Sequence, residues 1–220
     1  MRSRILPVAG VSAAALMAAT TFAPAMASGH HVSATQHGSV GVMHFAKGKG
    51  CYSQGKQLDG NGISSQNFEA SFDQYDDMAA DDFKVGKKGC TVKTVVAAGT
   101  YSSTGGTQTA NVTFYKDGKG TPGSEIKTVN GKVTNDSAGT LTISLGKKGV
   151  KLSKGTTWIS VQANLDFNTG GQWYWSTATD GGGTDGQWRN PGDGFGTGCT
   201  DWCDATAAGA TSPEFSFSLS

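Results

Sequence analysis

The stretch Thr157-Trp-Ile-Ser-Val-Gln-Ala-Asn164 alternates: Ile159, Val161 and Ala163 fall on one side, Ser160 and Gln162 on the other. A period of two belongs to a β-strand with one face in a core, because successive side chains leave the pleat in opposite directions. The same rhythm recurs in Phe83/Val85, the β-branched run 91–101, Val112/Phe114, Leu141/Ile143/Leu145, Val150/Leu152, Trp173/Trp175 and Phe215/Phe217/Leu219. Turn chemistry bounds these runs at Lys87-Lys-Gly89, Asp117-Gly118, Pro122-Gly123, Asn130-Gly131 and Ser153-Lys-Gly155. No long window carries the helical period. Residues 67–220 are therefore expected to form an all-β fold, an antiparallel β-sandwich of jelly-roll type with about nine strands. An outer-membrane barrel fits less well, since the runs are short, unevenly spaced and without aromatic girdles.

Ahead of this domain, Arg2 and Arg4 precede a mostly apolar, uncharged stretch from Ile5 to Ala19, and Ala25-Met-Ala27 is a small-x-small cleavage site. Residues 1–27 read as a secretory signal, too short and too broken by Pro7 and Gly10 to span a membrane. The mature chain is then expected to be secreted, periplasmic or displayed on the cell surface, with no membrane span. Residues 28–66, rich in Gly, Ser, His and Lys, read as a flexible lead-in.

Export changes the reading of the cysteines. All four (Cys51, Cys90, Cys199 and Cys203) follow the signal, and an even number in an oxidising compartment suggests two disulfides. The simplest pairing is Cys199 with Cys203 and Cys51 with Cys90. Zinc is disfavoured, because the C-x3-C pair stands alone and His30, His31, His37 and His44 all lie in the lead-in. Loss of Arg2 and Arg4 leaves 16 basic against 17 acidic residues, taking the formal charge from +1 to −1. So neutral a chain has no basic footprint for nucleic acid.

Two segments carry candidate chemistry. Residues 67–83 concentrate carboxylates, and Asp76, Asp77, Asp81 and Asp82 are candidate Ca²⁺ ligands, although the spacing is not that of an EF-hand. The alternative is a solvated acidic entrance to a strand. The loop 179–213 is long, rich in glycine and tryptophan, and carries the Cys199/Cys203 pair. Trp173 on the strand before it and Trp188, Arg189, Asn190 and Trp202 within it are the candidate ligand-binding residues, with Trp188 foremost because it sits mid-loop beside two side chains that hydrogen-bond sugars. A satellite core beneath the loop is the competing reading of the same rings. Residues 45–220 contain no histidine, which excludes a Ser-His or Cys-His nucleophile on the domain. A two-carboxylate glycosidase needs none.

Several motifs in order, Ala80-Asp-Asp-Phe83, Val112-Thr-Phe-Tyr-Lys-Asp117 with Gly120-Thr-Pro-Gly123, Thr157–Asn164, Gly171-Gln-Trp-Tyr-Trp175, Trp188-Arg-Asn-Pro-Gly192 and Gly194-Phe-Gly-Thr-Gly-Cys199, resemble an uncharacterised family of secreted bacterial β-sandwich domains. The resemblance implies an extracellular sandwich and carries over no catalytic residue. The functional expectation is a secreted, non-catalytic protein that binds an extracellular glycan or protein or serves a surface or matrix role. The alternative is a histidine-free hydrolase of extracellular polysaccharide. Oligomeric state stays open.

Overall fold

The strand Gly155–Asn164 lies in the middle of the larger sheet of a computed structural model, which describes residues 32–45 and 50–220. The signal assigned to 1–27, and with it His30 and His31, lies outside the described residues. Gly155–Asn164 pairs antiparallel with Met78–Val85 on one side and Thr109–Asp117 on the other. Every residue from Thr157 to Ala163 is buried, so both faces of this strand are covered, and not only the Ile159/Val161/Ala163 face.

From that centre the larger sheet runs one way through Met78–Val85 to Gln187–Arg189 and Cys203–Asp204. The other way it passes Thr109–Asp117, Pro122–Ser137, Thr140–Ser144, Thr94–Ala97 and Phe217–Leu219 to Tyr52–Gln54. It curls on itself: the Tyr52 and Phe217 rings, far along the strand order, lie 5.5 and 6.0 Å from Phe83. The smaller sheet, Thr35–Val42, Gln57–Ser64, Trp173–Ala178 and Glu214–Phe215 with Gly99–Tyr101 alongside, packs against it. Trp175 is the hinge of that packing, stacked on Phe215 at 5.0 Å and edge-on to Phe217 at 6.0 Å. Two curled antiparallel sheets thus form a β-sandwich, as the alternation predicts. Among the described residues, only Gln66–Asn67 adds a parallel pairing, against Ala163 and Asn164.

The described residues form eighteen strand segments where the alternation suggests about half as many. The run 91–101 is cut into Cys90–Val92, Thr94–Ala97 and Gly99–Tyr101, which join three different sheets. Asn130-Gly131 is not a turn. It lies within Pro122–Ser137, where a Cβ on Gly131 would meet Ile143 Cγ2, so the glycine admits the neighbouring strand. The hairpin turn is instead Ala138-Gly139, with φ of 51° and 98°, the two positive values a two-residue primed turn requires.

Residues 28–66 are also not a loose lead-in where they are described. Thr35–Val42 and Gln57–Ser64 pair with each other, Tyr52–Gln54 edges the larger sheet, and Ile63, Ser64, Ser65 and Gln66 are fully buried. The glycines that suggest a loop serve close approach: a Cβ on Gly62 would press on the Trp175 carbonyl and Tyr174 Cβ. Likewise the loop 179–213 contributes Gln187–Arg189 to the larger sheet. Trp173, Tyr174 and Trp175 are all buried, where the alternation leaves one face for solvent.

Both disulfides join the expected partners, Cys51 with Cys90 and Cys199 with Cys203, across separations of 39 and 4 residues. Loop closure is restricted more by the longer bridge. Replacing Cys51 and Cys90 by alanine is expected to lower unfolding free energy by about 2–4 kcal/mol, and the Cys199/Cys203 pair by less. Urea denaturation of the oxidised variants checks this; a larger loss from the short bridge contradicts it.

Candidate functional site

Asp81 and Asp82 are successive residues of Met78–Val85 and therefore point to opposite faces. Asp81 sits opposite Ile159 and Asp82 opposite Trp158. Inside, both Asp81 oxygens are occupied: Oδ1 accepts from the Asp82 amide at 2.7 Å, and Oδ2 from Gln54 Nε2 at 2.6 Å and the Phe215 amide at 2.7 Å. Gln54 Nε2 also donates to Glu214 Oε2 at 3.1 Å, and Tyr52 Oη donates to Gln54 Oε1 at 2.7 Å. One amide side chain therefore bridges two buried carboxyls from different sheets.

Burial pushes the Asp81 carboxyl well above the usual range, and Glu214 adds to the push against the Phe215 and Asp82 amides. Glu214 is raised by burial and then by Asp82 and Asp185. Asp82 is raised by burial and by Asp117, with the Thr184 amide opposing. Burial, followed by Asp81, Glu214 and Asp82, lifts Tyr52 to about 12.

The run Gly181-Gly-Gly183 crosses directly over this cluster. A Cβ on Gly181 would overlap Glu214 Oε2, and one on Gly183 would overlap Asp82 Oδ1, so a side chain at either place would displace the carboxyl beneath it. On one side of the crossing lies a cleft of about 400 Å³ lined by Tyr52, Asp82, Lys84, Asp117, Gly120, Thr156, Gly182, Gly183 and Thr184. A second hollow, of about 310 Å³, lies on the other side and shares Tyr52 and Gly182 with the first. Asp117, which accepts from Gly120 N at 3.0 Å and Trp158 Nε1 at 3.1 Å, is held below the usual carboxylate range by those bonds. The cleft thus presents carboxylates, an ammonium and hydroxyls around a half-buried phenol.

The residues expected to bind a ligand are mostly placed elsewhere. Trp173 is fully buried and donates to the Gly139 carbonyl at 2.8 Å. Trp188 is fully buried, donates to the Ser64 carbonyl at 2.9 Å and packs edge-on against Phe195. It belongs to the main core and offers no stacking face, because its strand pairs with Met78–Val85 and turns the ring inward. Asn190 is buried too, bonding the Gln74 and Asp76 carbonyls at 2.8 Å each. Arg189 and Trp202 remain half-buried, with the guanidinium 4.5 Å above the Trp202 ring and Tyr115 edge-on to it.

The four aspartates expected to ligate Ca²⁺ do not converge. Asp76 accepts from the Phe68 amide and Asp77 from the Gln66 amide, away from Asp81 and Asp82, which themselves diverge. Among the described residues, no group of three or more His, Cys, Asp or Glu is arranged to hold a metal ion. Tyr52, Gln54, Lys84, Thr156 and Glu214 are marked by no candidate-site motif, and Asp117 stands in the sequence only as a turn residue and the end of a resemblance motif. Gly181–Gly183 was a signal of close backbone approach, without an indication of what it approaches.

Comparison of the chain with protein-family models, curated proteins and solved structures finds no match. Among the described residues, no helix is long and apolar enough to cross a membrane.

Raised folded-state values for Asp81, Asp82 and Glu214 mean the native state holds more protons than the unfolded chain above the ordinary carboxylate range. Their contribution to stability is full at acid pH and declines as pH rises through the folded-state values. The urea midpoint is expected to fall as pH is raised from about 4 toward neutrality, and Glu214→Gln to flatten the fall. A midpoint that climbs over this range in the parent protein contradicts the reading.

Proposed function

We propose that the chain is an exported, non-catalytic binding protein whose cleft beside Gly181–Gly183 takes a polyhydroxylated extracellular ligand, a glycan. The observation that carries this is the cleft lining: Asp82, Asp117, Lys84, Thr156 and Thr184 gather acceptors and donors around the Tyr52 ring. Sugars are held by this combination of directed hydrogen bonds and an aromatic edge. Export is supported by two disulfides, which persist in an oxidising compartment, and by the sequence pattern of residues 1–27. Trp202, capped by Arg189, extends the same outer face past Trp158 and Tyr115.

The polysaccharide hydrolase is the weaker reading. Its two carboxyls would be Asp82 and Glu214, but Glu214 is bonded to Gln54 and roofed by Gly181. A general acid must reach the glycosidic oxygen.

Titration calorimetry of the mature protein against a panel of soluble glycans tests the proposal. Lys84→Ala and Asp82→Asn are expected to weaken binding about tenfold or more, in keeping with a hydrogen bond to a charged group. Lys84→Ala should leave the melting temperature unchanged. Trp188→Ala is expected instead to cost about 3–5 kcal/mol of stability as a core truncation. Binding unaffected by both cleft variants overturns the assignment, and release of reducing ends from a bound polysaccharide favours the hydrolase.

A further inference from the structure

The formal charge of −1 on the mature chain conceals an uneven distribution. Seven lysines and no acidic residue fall within 86–93 and 144–155, which leaves 9 basic against 17 acidic residues for the remainder. Both segments carry the same tetrapeptide. Gly86-Lys-Lys-Gly89 leads into Cys90–Val92, and Gly146-Lys-Lys-Gly149 leads into Val150–Leu152.

The two short strands pair antiparallel as a ribbon of their own, with Thr91 opposite Lys151. Each turn is closed by the amide of its second glycine on the carbonyl of its first, at 2.9 and 3.2 Å. Gly89 and Gly149 have φ of 67° and 62°, and each lies on the carbonyl that ends the other strand, Leu152 and Val92 respectively. A side chain at either position would collide with that carbonyl. The ribbon is thus two turn-and-strand units about a local two-fold axis through the Thr91–Lys151 pair.

Strand alternation sends Val92, Val150 and Leu152 into the core and Thr91 and Lys151 to solvent. The paired lysines of the turns stand at opposite ends, and each end gains a third. Lys93 lies against Gly149, and Lys154 follows Ser153, which lies against Gly89. All seven lysines are exposed, and among the described residues none uses its ammonium group in a hydrogen bond or ion pair within the protein. Cys90 is bridged to Cys51, which pins one end of the ribbon. Over that bridge lies an open hollow of about 470 Å³, with Lys87 and Lys88 on its wall.

We propose that this ribbon is a binding surface for a linear polyanionic polysaccharide, one bearing sulfate, phosphate or carboxylate groups along its length. Charge complementarity carries it: lysines at both ends and the middle of a ribbon about 10 Å long form a stripe of positive potential. Lysine is a compact point charge on a flexible stem, suited to separate anionic groups spaced along a chain. A bilayer is gripped by apolar side chains as well as by charge, and single-stranded nucleic acid by stacking rings. The exposed large apolar residues among the described ones are Val40, Val42 and Ile126, none of them on the ribbon. The surface takes the export in the proposed function as given and is independent of the cleft.

Equilibrium binding of the oxidised mature protein to labelled dextran sulfate tests this, with unsulfated dextran of equal length, phosphatidylglycerol vesicles and duplex DNA as further probes. Dextran sulfate is expected to bind at low ionic strength and to be released as salt approaches about 1 M, where screening is nearly complete. Unsulfated dextran should not bind. Lys87→Ala/Lys88→Ala and Lys147→Ala/Lys148→Ala are each expected to weaken binding about fivefold, as for the loss of two exposed ion pairs, without moving the melting temperature. Lys147→Arg/Lys148→Arg should retain it. The control pair Lys119→Ala/Lys127→Ala changes net charge equally and should leave binding within about twofold. Lys151→Gln/Lys154→Gln gives an independent reading if an alanine pair does not fold. Failure of dextran sulfate to bind, or a loss from the control pair equal to that from the ribbon pairs, overturns the proposal. Tighter binding to the vesicles or to DNA than to dextran sulfate overturns the choice of polysaccharide. Neutral glycans at the cleft are decided by the Asp82 and Lys84 variants, so either reading can fail alone.

Discussion

A central strand buried on both faces dictates what surrounds it. Gly155–Asn164 turns Ile159, Val161 and Ala163 to the main core, and Trp158, Ser160 and Gln162 the other way, where a simple sandwich would meet water. That second face must be roofed, and the segment between Trp173–Ala178 and Glu214–Phe215 does the roofing: it sends Gln187–Arg189 to extend the sheet and sets Trp202 against Tyr115 and Trp158. The cleft is what this cover leaves open, bounded by Gly181–Gly183 on one flank and the Asp117 turn on the other. Site and fold share one cause.

The interior also holds many polar side chains. Gln54, Ser64, Gln66, Asp77, Asp81, Gln162 and Gln172 are all buried, and most of their polar atoms find partners on other strands. Gln66 alone bonds the Leu165 and Gly171 carbonyls and accepts from the Trp173 amide, tying the turn before Trp173–Ala178 to the parallel edge of the central strand. Such bonds add little net stability, but a shifted register would strand them unpaired in a dry medium. They fix which residue faces which, in a molecule whose short strands would otherwise slip.

How far this could be read from the chain depends on the range of the interaction concerned. Alternation at Phe83/Val85, Val112/Phe114 and Ile159/Val161/Ala163 reports the immediate surroundings of each strand, and the β-class follows from it directly. The cysteine pairing was legible for a similar reason, since Cys199 and Cys203 are close in sequence and leave one partner choice for Cys51. The glycines of residues 28–66 and Asn130-Gly131 misled because glycine marks both loops or turns and places where another backbone comes close, and only the partner strand tells them apart. Trp188 misled in the same manner: beside Arg189, Asn190 and Pro191 it looks like a loop tip, but its ring is claimed by the Ser64 carbonyl, 124 residues away. Tyr52, Gln54, Asp82 and Glu214 meet only after both sheets have closed, and no local spacing announces them.

The last strand, Phe217–Leu219, lies between Thr94–Ala97 and Tyr52–Gln54, filling a slot inside the larger sheet rather than adding to its edge. Its neighbours come from the first half of the given sequence, so the sheet stays incomplete until Phe217–Leu219 joins it. Topologies dominated by such distant pairings fold slowly, because chain entropy is lost well before the contacts that compensate for it are made. A polypeptide threaded through a narrow passage amino-terminus first would remain unable to close this sheet until Phe217–Leu219 had emerged.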